Sequence, residues 1–327
     1  MVFLFFMSFN FKLTLFLILG LVCALLGASP YIFESPRVVE WIRQYGYWMI
    51  LLTTLLWVVS LLRAYPSLKN KEAWSFLWSK THRVGLFGIL ALFLLAQFQE
   101  EKGFKILLDE PVLMNTSRMM HFSREVMVVS NAHRVDGILA AKGYVDKRPN
   151  FFPFLLSVVH DLTGYRVENA FYLNSVLFLA LLGLTYAVGY QLAGRMAGLI
   201  ALALLGGVPL LWHQAAGGGF EVLNLVMILL TLKVAIDFLN NPGERLLSAL
   251  CLTAVMLSQV RYESVLFILP VAMVILVGFS LKRRWMLPWG AYMAPIALIP
   301  VLWQMRVFSI DDGFWELFTV GLEKPFS

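Results

Sequence analysis

Residues 84–98 read VGLFGILALFLLAQF, and shortly after this run the chain reaches the acid pair Asp109-Glu110. An uncharged, Leu-rich run of this kind is a helix suited to a bilayer. A transmembrane barrel strand would instead alternate apolar and polar residues over segments of about ten. Two acids just beyond such a helix need water or partners, because ionised groups are costly at a membrane boundary unless solvated or paired. They are either plain caps of the next helix or part of a site.

The rest of the chain repeats the pattern. Of 327 residues 60% are hydrophobic and 14% charged, and the apolar runs approach the ~20 residues a membrane-crossing helix needs. The fold class expected is all-α: a polytopic integral membrane protein with about nine transmembrane helices, forming a single transmembrane domain over residues 1–327. The net charge of +6 sits in short loops between apolar runs, so it reports orientation and gives no support to a nucleic-acid partner. Cys23 and Cys251 both fall inside apolar runs and read as small core residues.

Orientation follows from two basic anchors. The run 13–33 (LTLFLILGLVCALLGASPYIF) is expected to be a retained helix and not a cleaved signal, and 45–62 (YGYWMILLTTLLWVVSLL) is the second span. Between the second and third spans lie Arg63, Lys69, Lys71, Lys80 and Arg83, against only Arg37 and Arg43 in the preceding loop, so this basic loop is expected in the cytoplasm. The third helix then runs outward and leaves residues 99–166 as an extracytoplasmic loop. Helices traced over 167–190, 196–212, 222–239, 246–260 and 264–281 return Lys282-Arg283-Arg284 to the cytoplasm, in agreement with the first anchor. The same trace places Glu221, Arg261 and Glu263 on the face that holds Asp109 and Glu110.

Within the outer loop, VLMNTSRMMHFSREVMVV (112–129) puts Leu113, Met120 and Met127 at heptad spacing beside Arg118, Arg124 and Glu125. This pattern predicts a helix lying in the interface or a short buried helix. Next, Pro149 and Pro153 interrupt KRPNFFPFLLSVVHDLTGYR (147–166), a basic, kinked stretch that leads back into the membrane.

Three segments resemble the membrane-embedded glycosyltransferases of the GT-C class, in particular the protein mannosyltransferase and lipid A aminoarabinose transferase family. They are LLDEPVLMNTSRMM (107–120), KRPNFFPFLLSVVHDLTGYRVENAFYLN (147–174) with its Gly164-x-Arg166-x-x-Asn169 spacing, and GGVPLLWHQAAGGGFEVLNLVMILLTL (206–232). Two features depart from that pattern. Two apolar runs precede the helix before the acid pair, where the family usually has the pair after its first helix, and the chain stops at GLEKPFS soon after its last apolar run.

The resemblance implies a GT-C-like helical bundle that transfers a sugar from a polyprenyl-phosphate-linked donor to a lipid, protein or glycan acceptor, with the site on the extracytoplasmic side. Asp109 would be the general base toward the acceptor, with Glu110 beside it; alternatively the pair would hold a divalent cation through oxygen ligands. Lys147 and Arg148, with Arg261, are the candidates for the leaving phosphate, and Glu221 for sugar hydroxyls. Each has an ordinary structural reading: interfacial anchors for Lys147 and Arg148, pairing with Glu263 or Glu221 for Arg261, capping for Glu221. His121, His133, His160 and His213 match no zinc spacing, and no glycine-rich phosphate loop follows a strand. The competing readings are a transporter or flippase, whose charges would be expected at mid-membrane in two similar halves, and a non-catalytic or truncated GT-C-like membrane subunit.

Overall fold

The computed structural model describes residues 9–32, 35–66, 82–135, 138–308 and 318–322. Lys69, Lys71 and Lys80 of the basic loop, the His133 side chain and the last five residues lie outside that description. Eleven α-helices account for most of the described chain, and five helices are long and apolar enough to cross a membrane. The protein is thus a helical membrane protein. Its residues form two compact units: residues 1–64, 147–149 and 234–314 make one, and residues 65–146, 150–233 and 315–327 the other.

In the first unit, α1 (Phe9–Ala28), α2 (Ser35–Ala64), α9 (Glu244–Ser258) and α11 (Trp289–Phe308) pack on one another, with α10 (Ile268–Lys282) against α9. Leu247, Leu250, Leu252, Met256 and Leu257 of α9 are fully buried, which makes this short helix the centre of the unit. Trp57 Nε1 donates to Thr253 Oγ1 at 3.0 Å, tying α2 to α9. Helices α1 and α11 run in the same direction: Tyr292 donates to the Lys12 carbonyl at 3.0 Å near their starts, and Trp303 Nε1 to the Leu26 carbonyl at 3.0 Å near their ends.

The second unit is built around α3 (Arg83–Gln99) and α6 (Glu168–Gly206). Ile89 and Ala96 of α3 meet Phe178, Leu181, Leu182, Tyr186 and Leu202 of α6, with Val222 and Val226 of α8 (Glu221–Asn240) completing the core. At 39 residues α6 is far longer than a single span needs. It breaks at Ala193 and Gly194, the latter at φ 78° and ψ −169°, a conformation open to a residue without Cβ. The two sequence-expected helices 167–190 and 196–212 therefore exist as the two arms of this element. The second arm ends at Gly206, because Pro209 opens a separate short helix, α7 (Pro209–Ala215).

Of the two readings of residues 112–129, an interfacial helix or a short buried one, the chain forms the buried helix. Helix α4 (Asp109–Phe122) ends before Met127, and Leu113, Met114, Met119 and Met120 are buried. Its apolar face packs on α5 (Phe151–Thr163) and is covered by protein. The rest of the segment is a hairpin of β1 (Val128–Val135) and β2 (Ile138–Tyr144), extended by antiparallel β3 (Phe318–Leu322). The chain is helical as expected, with this small three-stranded sheet added to it. Its signal was local: Val135 pairs with Ile138, and the dipeptide between them in the sequence, Asp136-Gly137, is a strong short-range hairpin signal. Asn115 clamps α4 to β1, donating to the Val129 carbonyl and accepting from the Val129 N–H, both at 3.0 Å.

Candidate functional site

Asp109 and Glu110 occupy the first turn of α4, where the helix dipole favours negative charge. Neither caps the helix, since the N-cap position is Leu108 and no side chain bonds there. Instead Glu110 folds back. Its Oε2 accepts the Lys105 backbone N–H at 2.9 Å, and the residue is wholly buried. Oε1 has no hydrogen-bond partner among the described residues. Asp109, one position earlier, stays half-buried.

Three consecutive glycines make room for the buried carboxylate. A Cβ on Gly217 would stand 2.7 Å from Glu110 Oε1 and 2.8 Å from Lys105 Cγ, and one on Gly218 would stand 3.6 Å from Glu110 Oε2. A Cβ on Gly219 would collide with the Glu221 carboxylate and lie 3.6 Å from Glu110 Oε1. Glu110 and Glu221 thus approach the same glycine from two sides. Asn174, fully buried on α6, holds this turn by donating from Nδ2 to the carbonyls of Gly217 at 2.9 Å and Gly219 at 2.8 Å. Its Oδ1, like Gln214 Oε1, is a buried acceptor without a donor among the described residues. The neighbourhood is rich in acceptors and short of donors, and buried polar groups left so are uncommon.

The loop that delivers Glu110 is pinned along its length. Gly103 N–H donates to the Ala216 carbonyl at 3.1 Å, Phe104 packs edge-on to Phe171 at 5.7 Å, and Glu100 meets His213 Nδ1 at 3.2 Å and Lys105 Nζ at 3.4 Å. The hydrogen bond from His213, followed by that from Lys105, outweighs burial and holds the Glu100 carboxyl below its usual range. Sequence reasoning missed Asn174 and the glycine turn as parts of one structure, although the run of three glycines was visible.

A second polar cluster lies where α4 meets α5. His160 is buried, with Asn169 Nδ2 2.9 Å from Nδ1 and Ser117 Oγ 3.4 Å from Nε2. Burial, with the charge of His121, pushes its pKa down to about 4. Next to it Asp161 receives His121 Nδ1 at 2.6 Å and Arg124 at 2.7 Å. Burial raises the Asp161 pKa, but these two partners outweigh it and the carboxyl titrates below its usual range. The Arg124 backbone is held at φ 59°, a left-handed conformation that costs a non-glycine residue about 1–2 kcal/mol. Tyr165 stacks near His160 at 4.8 Å and carries the Arg118 guanidinium 5.4 Å from its ring.

The remaining sequence candidates belong to the first unit. Arg261 pairs with Glu263 at 3.2 Å, its ordinary reading. Its charge and that of Arg148 also both act on the Tyr262 phenol. The Arg148 carbonyl accepts from Gln304 Nε2 at 3.1 Å, while Lys147 is half-buried beside it. Among the described residues no group of three or more His, Cys, Asp or Glu side chains could hold a metal ion. Comparison with protein-family models, with curated proteins and with solved structures finds no match.

Proposed function

We propose that the protein transfers a sugar from a polyprenyl-phosphate-linked donor to an acceptor hydroxyl on the extracytoplasmic side of a membrane, within a GT-C-like bundle of about nine crossings. The observation that carries this reading is Glu110: a fully buried carboxylate with one oxygen satisfied and the other turned, without a donor, toward a glycine turn shared with Glu221. This buried turn holds the start of α4, and with it the half-buried Asp109 beside Glu110, in place. An acid serving only as an interfacial cap would be solvated and would bond the first-turn N–H groups.

In this reading Asp109 is the general base, because it is half-buried and so remains accessible. It takes the proton of the acceptor hydroxyl as the new bond forms between that oxygen and the anomeric carbon. The bond from the anomeric carbon to the phosphate oxygen breaks at the same time, and the electron pair leaves with the phosphate. Glu110 fixes the turn that carries Asp109. Glu221, in the same unit as Asp109 and Glu110, binds sugar hydroxyls.

The test compares surface glycans of a deletion strain carrying either the wild-type chain or Asp109→Asn at matched membrane levels. Loss of a glycan in the variant, with transfer down at least about 100-fold as expected for removal of a general base, supports the assignment. Equal glycan profiles remove Asp109 from the chemistry and refute the mechanism.

A further inference from the structure

Helix α3 is too short to cross a bilayer alone. Its 17 residues rise about 26 Å at about 1.5 Å each, against a hydrocarbon core of about 30 Å. Its neighbour α6 has length to spare, since the arm from Glu168 to the break at Ala193 spans roughly 37 Å. The two helices are level at Ser175, whose hydroxyl donates to Gln97 Oε1 at 3.0 Å. Beyond that rung α3 ends within a turn, while α6 continues toward its start at Glu168 for about 10 Å. The stretch of α6 that α3 leaves unaccompanied is met by the loop 100–108. Lys102 Nζ lies 4.3 Å from the Tyr172 ring, and Phe104 packs edge-on to Phe171, one turn nearer the start of α6 than Ser175.

This loop carries bare apolar side chains. Leu107 and Leu108 are 79% and 80% exposed, Phe104 is exposed as well, and Phe98 in the last turn of α3 is 86% exposed. One exposed leucine needs no explanation, but a run of such residues marks a surface that is covered by something. The same kind of side chain stands on the free faces of the two helices the loop joins: Leu94 and Leu95 on α3, Tyr172 and Val176 on α6. On membrane helices those faces meet lipid, so from Phe98 to Leu108 the loop prolongs a surface that the bilayer already covers.

Backbone can lie at that depth only where its polar groups are satisfied by the protein. Gly103 N–H donates to the Ala216 carbonyl at 3.1 Å, Lys105 N–H to Glu110 Oε2 at 2.9 Å, and the Ile106 carbonyl accepts from the Glu110 N–H at 3.2 Å. The charged side chains are placed to match. Lys105 Nζ meets the Glu100 carboxylate and the Glu101 carbonyl, and Lys102 over Tyr172 pairs two side chains whose apolar bodies and polar tips suit the headgroup layer.

We infer that residues 104–108 rest in the surface of the bilayer, with Leu107 and Leu108 seated at the acyl boundary, and that this pad holds Asp109, the next residue, at headgroup depth. The pad supplies the apolar length that α3 lacks. It goes beyond the proposed function and does not depend on it, because any chemistry at Asp109 is brought to the membrane surface in the same way.

The experiment places a nitroxide at one position at a time on the full chain in phosphatidylcholine vesicles, in a Cys23→Ala, Cys251→Ala background. Collision with oxygen, which concentrates in hydrocarbon, is compared with collision with a water-soluble nickel chelate. Labels at Leu107→Cys and Leu108→Cys should favour oxygen and lie roughly 5–10 Å into the headgroup and acyl boundary. Leu90→Cys, at the middle of α3, should read deeper, and Glu101→Cys should favour nickel. Nickel access at 107 and 108 equal to that at 101 puts the loop in water and overturns the inference. Protection from both reagents also overturns it, because a protein surface, such as that of a second copy, then covers the leucines.

If the cysteine-free chain does not reach the membrane, the native chain is irradiated with a bilayer-soluble diazirine. Adducts on 104–108 as well as on α3 are expected, and adducts on α3 with none on the loop overturn the inference. Failure of the functional reading looks different: unchanged glycans in Asp109→Asn remove the transferase and leave the depth of the loop as it was.

Discussion

Acidification from pH 7 to 4 should destabilise the second unit through one imidazole, that of His160. In an unfolded chain this group titrates near 6.5, and in the folded protein at about 4. Between those values the unfolded state binds a proton that the folded state refuses. The stability contributed by keeping His160 neutral is thus fully present above pH 6.5 and is lost as the pH falls through about 4.

The shift corresponds to about 3 kcal/mol at about 1.36 kcal/mol per unit. Part of it comes from His121, whose side chain is 18% exposed, so solvent screening brings the working figure to about 2 kcal/mol. The groups facing His160 are Ser117 and His121 from α4, Asp161 from its own helix, Tyr165 from the turn beyond, and Asn169 from α6. Asp161, with its lowered pKa, is ionised across this window. Its own contribution is present above the unfolded value of 3.8 and is lost below it.

The assay is thermal unfolding of detergent-solubilised protein at pH 7, 6, 5 and 4.5, comparing wild type with His160→Gln, which keeps an amide able to meet Asn169 and Ser117. At roughly 2–4 °C per kcal/mol for a body of this order of size, the wild type should lose about 4–8 °C more than the variant across the window. Parallel curves for the two proteins would refute the claim that His160 is folded in as a neutral group.

Three further outcomes follow from the geometry. Glu110→Ala removes the acceptor of the Lys105 N–H and should destabilise the protein by about 1.5–3 kcal/mol, whereas Glu110→Gln keeps an acceptor and should cost less, as chemical denaturation would read. Gly217→Ala places a methyl 2.7 Å from Glu110 Oε1 and 2.8 Å from Lys105 Cγ, so both the melting temperature and transfer should fall while membrane insertion, judged by protease protection, is unchanged. At position 124, Gly relieves about 1–2 kcal/mol of left-handed strain and gives up an ion pair worth about 0–1 kcal/mol. Arg124→Gly should therefore melt at or above wild type, and Arg124→Ala below it.

Some of this protein is written locally in its chain. Hydropathy alone marks the membrane helices, since a span needs only enough consecutive apolar residues. The break at Gly194 falls in the gap between the expected helices 167–190 and 196–212, whereas the expected 196–212 helix runs through Pro209, where the chain starts a separate helix. Asp109 and Glu110 stand out because acids are rare beside such runs. The hairpin over 128–144 was equally local, and was lost because heptad spacing from Leu113 to Met127 suggested one continuous helix where two elements meet.

What packing alone decided is of another kind. Glu110 and Asp109 are neighbours in sequence, yet one is buried against a glycine turn more than a hundred residues away and the other is not. Nothing in their spacing distinguishes them. His160 becomes a neutral group only because Asn169, Ser117 and Tyr165 close around it, and the Arg148 carbonyl meets Gln304 only once its short segment joins the first unit. Hydropathy and backbone preference act over a few residues and are legible in the sequence. Burial, orphaned acceptors and shared charges arise between distant segments, and exist only when the helices have packed.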